Sequence, residues 1–175
     1  MITNNEPPEF PIGAYVEPDS PETLTLQLEE LRRCPAEIRS AIESLSPEQL
    51  KVRYRNWSVR QIVHHLADSQ LNTYIRFKWA LTEASPLIKT FNETKWSETF
   101  DARESELEPS LILMDGLHAR WSFLIENLND DELDRTFFHP EVGEILSLRQ
   151  ALSRALWHNR HHVGQIDWLK NRHGW

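Results

Sequence analysis

The sequence predicts an all-α protein built on four long helices. Three observations carry the prediction. Apolar residues recur at i, i+3, i+4 and i+7 through several long segments, the period of a helix buried on one face. Glycine is scarce, 5 residues in a chain of 175, whereas a sheet protein needs many turns. Two of the segments open with a serine followed three residues later by glutamine, the spacing of a capping box: Ser58-Val59-Arg60-Gln61 and Ser147-Leu148-Arg149-Gln150. The length of 175 residues points to one domain, 1–175, long enough to bury a core.

An arm comes first. Pro7, Pro8, Pro11, Pro18 and Pro21 lack the N–H a helix needs and push their predecessors towards extended geometry, so this stretch should lie over the bundle. The first helix is expected from Glu22 to Leu45, with Leu24, Leu28, Leu31, Ile38 and Ile42 on one face and Pro35 kinking or splitting it near Arg33. Ser46 and Pro47 start a short turn, followed by a loop over Val52–Trp57. The second helix runs from Ser58 to about Ala84, stopping before Pro86. Beside its apolar stripe stands a polar row, His65, Ser69, Asn72 and Arg76, at i, i+4, i+7 and i+11. Such a row is where a bundle lines a pocket, or simply a half-wet boundary.

Residues 85–107 form a loop long enough to be functional or to wrap the fold, with Trp96 and Phe100 expected to pack down. The third helix spans Pro109 to Leu128 and faces Leu111, Met114, Leu117, Trp121 and Ile125 inward. In the connector, Phe137-Phe138-His139-Pro140 and Gly143-Glu144-Ile145-Leu146 pair as a short hairpin. The fourth helix runs from Ser147 to about Arg172, before Gly174.

Charge and cysteine content remove whole classes of function. Net charge is −8, from 19 basic and 27 acidic residues, which argues against broad nucleic-acid binding. The single cysteine, Cys34, permits no intrachain disulfide, and its place on the first helix suits packing better than nucleophilic attack. Met1 to Phe10 has neither a basic nor an apolar leader segment, and no apolar run approaches the ~20 residues of a membrane span. The expected partners are therefore small molecules, with no nucleic acid and no membrane, and the expected location is the cytoplasm.

The histidines carry the chemistry. On a helical wheel of about 100° per residue, His162 falls inside the apolar stripe of the fourth helix and His158 at its edge, while His161 points to solvent. On the second helix His65 borders the stripe and His64 lies further round. A lone histidine on an apolar face is ordinarily a packed core residue. Two at i, i+4, with a third inward on another long helix, form a metal set: His65, His158 and His162. His118 is a candidate fourth ligand or pocket residue, though helix packing explains it equally well; His139 and His173 read as loop and surface residues. Asp68, one turn after His65, could orient a ligand imidazole or be a solvated surface acid. Three neutral imidazoles leave an open coordination position, where a bound water or thiol ionises to a nucleophile. One divalent ion per chain is expected, Zn²⁺ first and Ni²⁺ or Fe²⁺ as further fits. Ser69, Asn72, Arg76 and Gln165 should line the pocket, with Arg76 placed to meet a carboxylate.

These residues have a family likeness. The stretch Trp57-Ser58-Val59-Arg60-Gln61-Ile62-Val63-His64-His65-Leu66-Ala67-Asp68-Ser69, with Asn72 and Tyr74-Ile75-Arg76-Phe77-Lys78 behind it, resembles the YfiT group of the DinB superfamily. So do His118-Ala119-Arg120-Trp121, His139-Pro140, His158-x-x-x-His162-x-Gly164-Gln165 and, in the arm, Phe10-Pro11-Ile12-Gly13. The resemblance implies a four-helix bundle, a homodimer and a metal held by His65, His158 and His162. It implies a metal-dependent hydrolase, and kinship with S-transferases that activate a low-molecular-weight thiol such as bacillithiol. Gln165 departs from the pattern, since some relatives carry another histidine there. The expected function is thus metal-dependent hydrolysis, with thiol transfer to an electrophile as one alternative and a non-catalytic metal-binding module as another.

Overall fold

Two serines fix where the helices that matter most begin. The Ser58 hydroxyl accepts the Gln61 backbone N–H while the Gln61 side chain accepts the Ser58 N–H. Ser147 and Gln150 repeat the arrangement. Each box satisfies two donors that a helix start otherwise leaves orphaned. From these caps run α2 (Val59–Thr82) and α7 (Leu148–His173), the latter closed by Gly174 in the left-handed region at φ 70°. With α1 (Leu24–Ile42) and α5 (Glu108–Glu126) they make the four-helix bundle. The computed structural model describes residues 6–17 and 23–175, and the expectations for Pro18, Pro21 and Glu22 lie outside these residues.

Around the bundle the order is α1, α5, α2, α7, each helix packed on two neighbours. Two apolar clusters fill it at opposite ends. One joins Leu31 of α1, Phe77 of α2, Trp121 of α5 and Leu152 of α7. The other joins Ile38, Ile62, Met114 and Ile166 of the same helices. Reading the two clusters along the chain gives the directions: α1 and α7 run one way, α2 and α5 the other. Parallel neighbours cannot be joined by a tight turn. The α2–α5 connection must therefore travel back along the bundle, which explains its length. It is not structureless: α3 (Glu93–Ser97) and α4 (Phe100–Glu104) lie within it. Trp96 packs against Phe91, but Phe100 is 82% exposed and does not pack down as expected.

Other expectations are corrected. Pro35 does not split the first helix; α1 runs through it. Proline cannot donate to the carbonyl four residues earlier, and the buried ring of His118 supplies the missing donor, its Nδ1 standing 2.7 Å from the Leu31 oxygen. His118 therefore stitches α5 to α1, and among the described residues it stands outside the group of histidines that could hold a metal and outside the walls of the two cavities beside them. The segment read as a plain loop holds a small hairpin, β1 (Arg53–Tyr54) with β2 (Trp57–Ser58), turned through Arg55 at φ 53°. After α5 come α6 (Asp130–Leu133) and the expected hairpin, β3 (Thr136–His139) with β4 (Glu144–Ser147). Cys34 is fully buried in the core, and burial pushes its thiol up, as suits a packing residue.

The arm lies along α7. Tyr15 meets Ser153 at 3.3 Å, the Trp157 indole donates to the Gly13 carbonyl at 3.3 Å, and Tyr54 and Arg55 donate to the carbonyls of Pro8 and Pro7. Gly164 makes the approach possible: a Cβ there would meet the Ile12 Cγ2 at 2.8 Å. Among the described residues no helix is long and apolar enough to cross a membrane.

Candidate metal centre

Between the two apolar clusters the bundle carries a buried polar belt: His65 and Gln70 on α2, His118 on α5, and Asn159, His161, His162 and Gln165 on α7. Buried polar groups are costly unless they are satisfied, so a belt at this depth needs a purpose. Its centre is where the antiparallel neighbours α2 and α7 face each other. His65 and His158, 93 residues apart in sequence, bring their Nε2 atoms to 3.2 Å. One turn along α7, the Nε2 of His162 stands 3.1 Å from that of His158. The ligand atoms of all three lie within 4.8 Å of one another.

Three nitrogens bound tetrahedrally to one ion at zinc–nitrogen distances stand about 3.4 Å apart. The observed spacings are close to that, and three lone pairs turned on one point are repulsive without a cation among them. Electrostatics agree. Burial, followed by neighbouring histidines, holds His65, His158 and His162 well below the ordinary value of 6.5, so all three rings are neutral near pH 7. The residues present fit a divalent metal.

Gln165 sets the tautomer. Its side-chain oxygen accepts from the Nδ1–H of His162 at 2.8 Å, which leaves the His162 Nε2 as a lone pair facing the other two rings. Its amide nitrogen donates to the Nε2 of His161 at 2.9 Å. His161 was expected to face solvent and does not: the arm covers it, with Phe10 at 5.7 Å and Trp157 stacked at 5.0 Å. Trp57, held by the β1–β2 hairpin, roofs the trio, 4.4 Å from the His65 ring and stacked on His162 at 5.9 Å. His64 is buried and ties α2 to Ser110 of α5 at 2.8 Å. Asp68 makes no hydrogen bond to the three rings; burial, then Asp101, pushes its carboxyl up to about 6.

Two cavities flank the trio. The first, about 290 Å³, reaches His158 and is walled by Ser69 and Arg76 from the expected polar row. Asn72 of that row turns away and donates to the Asp68 carbonyl at 2.8 Å. The wall also includes Tyr15, Glu93, His139 and Arg154, none of which the sequence reading placed there. Arg154 carried a signal: it stands four residues before His158, on the same side of α7. His139 was read as a loop residue, yet it closes β3 against this cavity. The second cavity, about 360 Å³, meets His161, His162 and Gln165 from the side of Trp57.

Known proteins share this arrangement of chain. The sequence profile of the DinB superfamily matches residues 30–166. YfiT of Bacillus subtilis, named "Putative metal-dependent hydrolase YfiT", is 42% identical over 170 residues, covering 95% of this chain and 96% of its own. A Geobacillus kaustophilus protein of the same designation is 38% identical over 174 residues, covering 97% of this chain and 98% of its own. The solved structure of the B. subtilis protein, described as a probable metal-dependent hydrolase with an unusual four-helix bundle topology, superposes with a TM-score of 0.91 at 40% identity, covering 95% of this chain and 97% of that one. The match runs through every helix of the bundle and across the histidine belt, and the chain belongs to the DinB superfamily.

Proposed function

We propose that the protein is a metal-dependent hydrolase, with His65, His158 and His162 as the ligands of one divalent ion, Zn²⁺ before Ni²⁺. The observation that carries the reading is the convergence of three neutral imidazole nitrogens, 3.1 and 3.2 Å apart, at the wall of a substrate-sized cavity. When bound there, a divalent ion supplies an open position at which a water or thiol loses its proton near neutral pH. The chain's own residues do the rest. Gln165 holds the His162 ring with Nε2 inward, Trp57 shields the His65 and His162 rings from water, and the cavity beside His158 seats the molecule to be attacked.

Thiol transfer is the second reading, and the second cavity favours it. Hydrolysis needs room for one organic reactant; the trio has space on two sides, one reaching His158 and the other His162. A homodimer belongs to the same proposal. The outward face of α5, where Ile112 and Phe123 are 58% and 69% exposed, offers apolar surface for it, and the mass in solution by light scattering tests it.

The test begins with elemental analysis of protein purified without an affinity tag. About one metal per chain in wild type and little in His158→Ala supports the centre; a wild type that cannot be loaded removes it. Loaded protein is then given ester and amide panels, and separately bacillithiol with an alkylating electrophile. Turnover above the uncatalysed rate in one assay and not the other chooses between the two chemistries.

A further inference from the structure

Building on the reading of the trio as a metal centre, the geometry points to an oxyanion subsite beside it. The cavity that ends on His158 holds the carboxylate- or phosphate-class group of a small substrate between the guanidiniums of Arg76 and Arg154, with the substrate's apolar body against Phe137, Leu146 and Trp157.

The two arginines reach one space from two helices. Arg76 lies eleven residues after His65 on α2, three turns along the same side. Arg154 lies one turn before His158 on α7. Both wall the cavity of about 290 Å³. The His139 ring belongs to the same wall, so both guanidiniums and this imidazole open on one space.

Arg76 is the anomaly. Among the described residues no hydrogen bond or ion pair reaches its guanidinium, and its Nε is buried without a partner. A guanidinium stays charged; Arg76 is half-buried at the cavity wall, with its Nε shut away from water and the rest of the group open to the cavity. Glu93 shares the cavity but is not the answer. Neither Glu93 nor the nearby Glu141 forms an ion pair with Arg76, and the Glu93 carboxyl is raised by burial and then by Glu141 before Arg76 lowers it. Arg154 is held in place, Nη2 on Glu144 at 3.0 Å and the group over the Tyr15 ring at 5.4 Å. Its Nε is nonetheless buried without a hydrogen bond, Glu17 standing 4.0 Å away. Donors left over on two guanidiniums match what an oxyanion accepts in two or more charge-assisted bonds. Apart from Ser69, Gln70 and Thr73, the remaining wall, Phe137, Val142, Leu146, Ala151, Ala155 and Trp157, is apolar or aromatic, and it sets the character of the rest of the substrate.

The probes are benzoate, phenyl phosphate and the neutral benzamide, titrated calorimetrically into metal-stripped and zinc-loaded protein. An anion is expected to bind the metal-stripped wild type about ten-fold or more tighter than benzamide. Arg76→Gln and Arg154→Gln should each lose about that factor for the anion while leaving benzamide unchanged, and Arg76→Lys should recover part of it. Benzoate ahead of phenyl phosphate assigns the carboxylate class, and the reverse order the phosphate class. Equal binding of benzamide, no binding of either anion, anion binding only when zinc is present, or anion binding untouched by Arg76→Gln each overturns the subsite. The three-probe comparison on wild type needs no variant to fold. His158→Ala, which lacks the metal set, separates the two ideas: if wild type takes up no metal yet benzoate still binds there through Arg76, the subsite stands and the metal reading falls.

Discussion

The proline in α1 and the histidine in α5 make one device, and a double-mutant cycle can take it apart. Pro35 has no N–H to give the Leu31 carbonyl, and His118, 1% exposed, donates to that carbonyl at 2.7 Å. Replacing His118 by leucine keeps the volume roughly but removes the donor. Leu31 is 0% exposed, so its carbonyl cannot turn to bulk water. An orphaned buried acceptor costs about 1–3 kcal/mol. In a Pro35→Ala background the backbone regains an N–H at this position, four residues on from Leu31, where an ordinary helix uses it to close the bond. His118→Leu should then cost under about 1 kcal/mol, a coupling of roughly 1–2 kcal/mol between residues on different helices. Packing lost with the proline ring appears on both sides of the cycle and cancels. The measurement is urea unfolding of metal-stripped protein followed by far-UV circular dichroism, with metal uptake of each variant as a companion. Equal costs of His118→Leu in the two backgrounds, within about 0.3 kcal/mol, would refute the shared carbonyl. Loss of metal binding in His118→Leu would refute its separation from the metal site.

Other expectations follow from the same physics. Gln165→Leu leaves the three proposed ligands but frees the His162 ring, so zinc affinity measured against a competing chelator should fall about 10–100-fold. Gly164→Ala places a Cβ 2.8 Å from an Ile12 methyl, and because Ile12 is 45% exposed the arm should shift away rather than the bundle unfold. Hydrogen exchange over residues 6–17 should then accelerate with little change in melting temperature, and Ile12→Ala should restore protection. The pH dependence has a definite sign. His65, His118, His158 and His162 are held below 6.5 when folded, burial being the main cause, so unfolding takes up protons once the pH is below that value. Metal-free protein should therefore lose stability as the pH falls through 6.5 and further until the folded values are reached; a flat profile between pH 7 and 5 would contradict the buried, neutral assignment.

What could be read from residues alone divides along a physical line. The helices were legible because their determinants are local: a serine and a glutamine three apart start α2 and α7, and Gly174 stops the latter. The placement of His65, His158 and His162 on inward faces was legible for the same reason, since a helical wheel needs no tertiary contact. The hairpin of β1 and β2 escaped because two-residue strands leave no period to detect. His161 was misjudged because the wheel reports only where the bundle axis lies, and it is the arm, arriving from the other side, that buries this ring. His118 was ambiguous because its partner is a carbonyl left without a donor by a proline on another helix. The cavity wall was half legible: Ser69 and Arg76 share a face with His65, and Arg154 shares one with His158, but His139, Glu93 and Tyr15 come from elements whose placement only the folded chain reveals.

The route of the arm has a consequence for how the protein is made. Tyr15 finds its partner Ser153 across 138 residues of sequence, and His65 finds His158 across 93. Contacts of such separation are paid for in chain entropy before they return anything, and they form late. On the ribosome, the arm and α2 emerge long before the helix that receives both. Until α7 arrives, the growing chain offers an incoming ion His65 without its two partners, and a proline-rich strand with nothing to lie on. Arm docking, and metal capture by the proposed ligands, are thus expected to wait for α7 together.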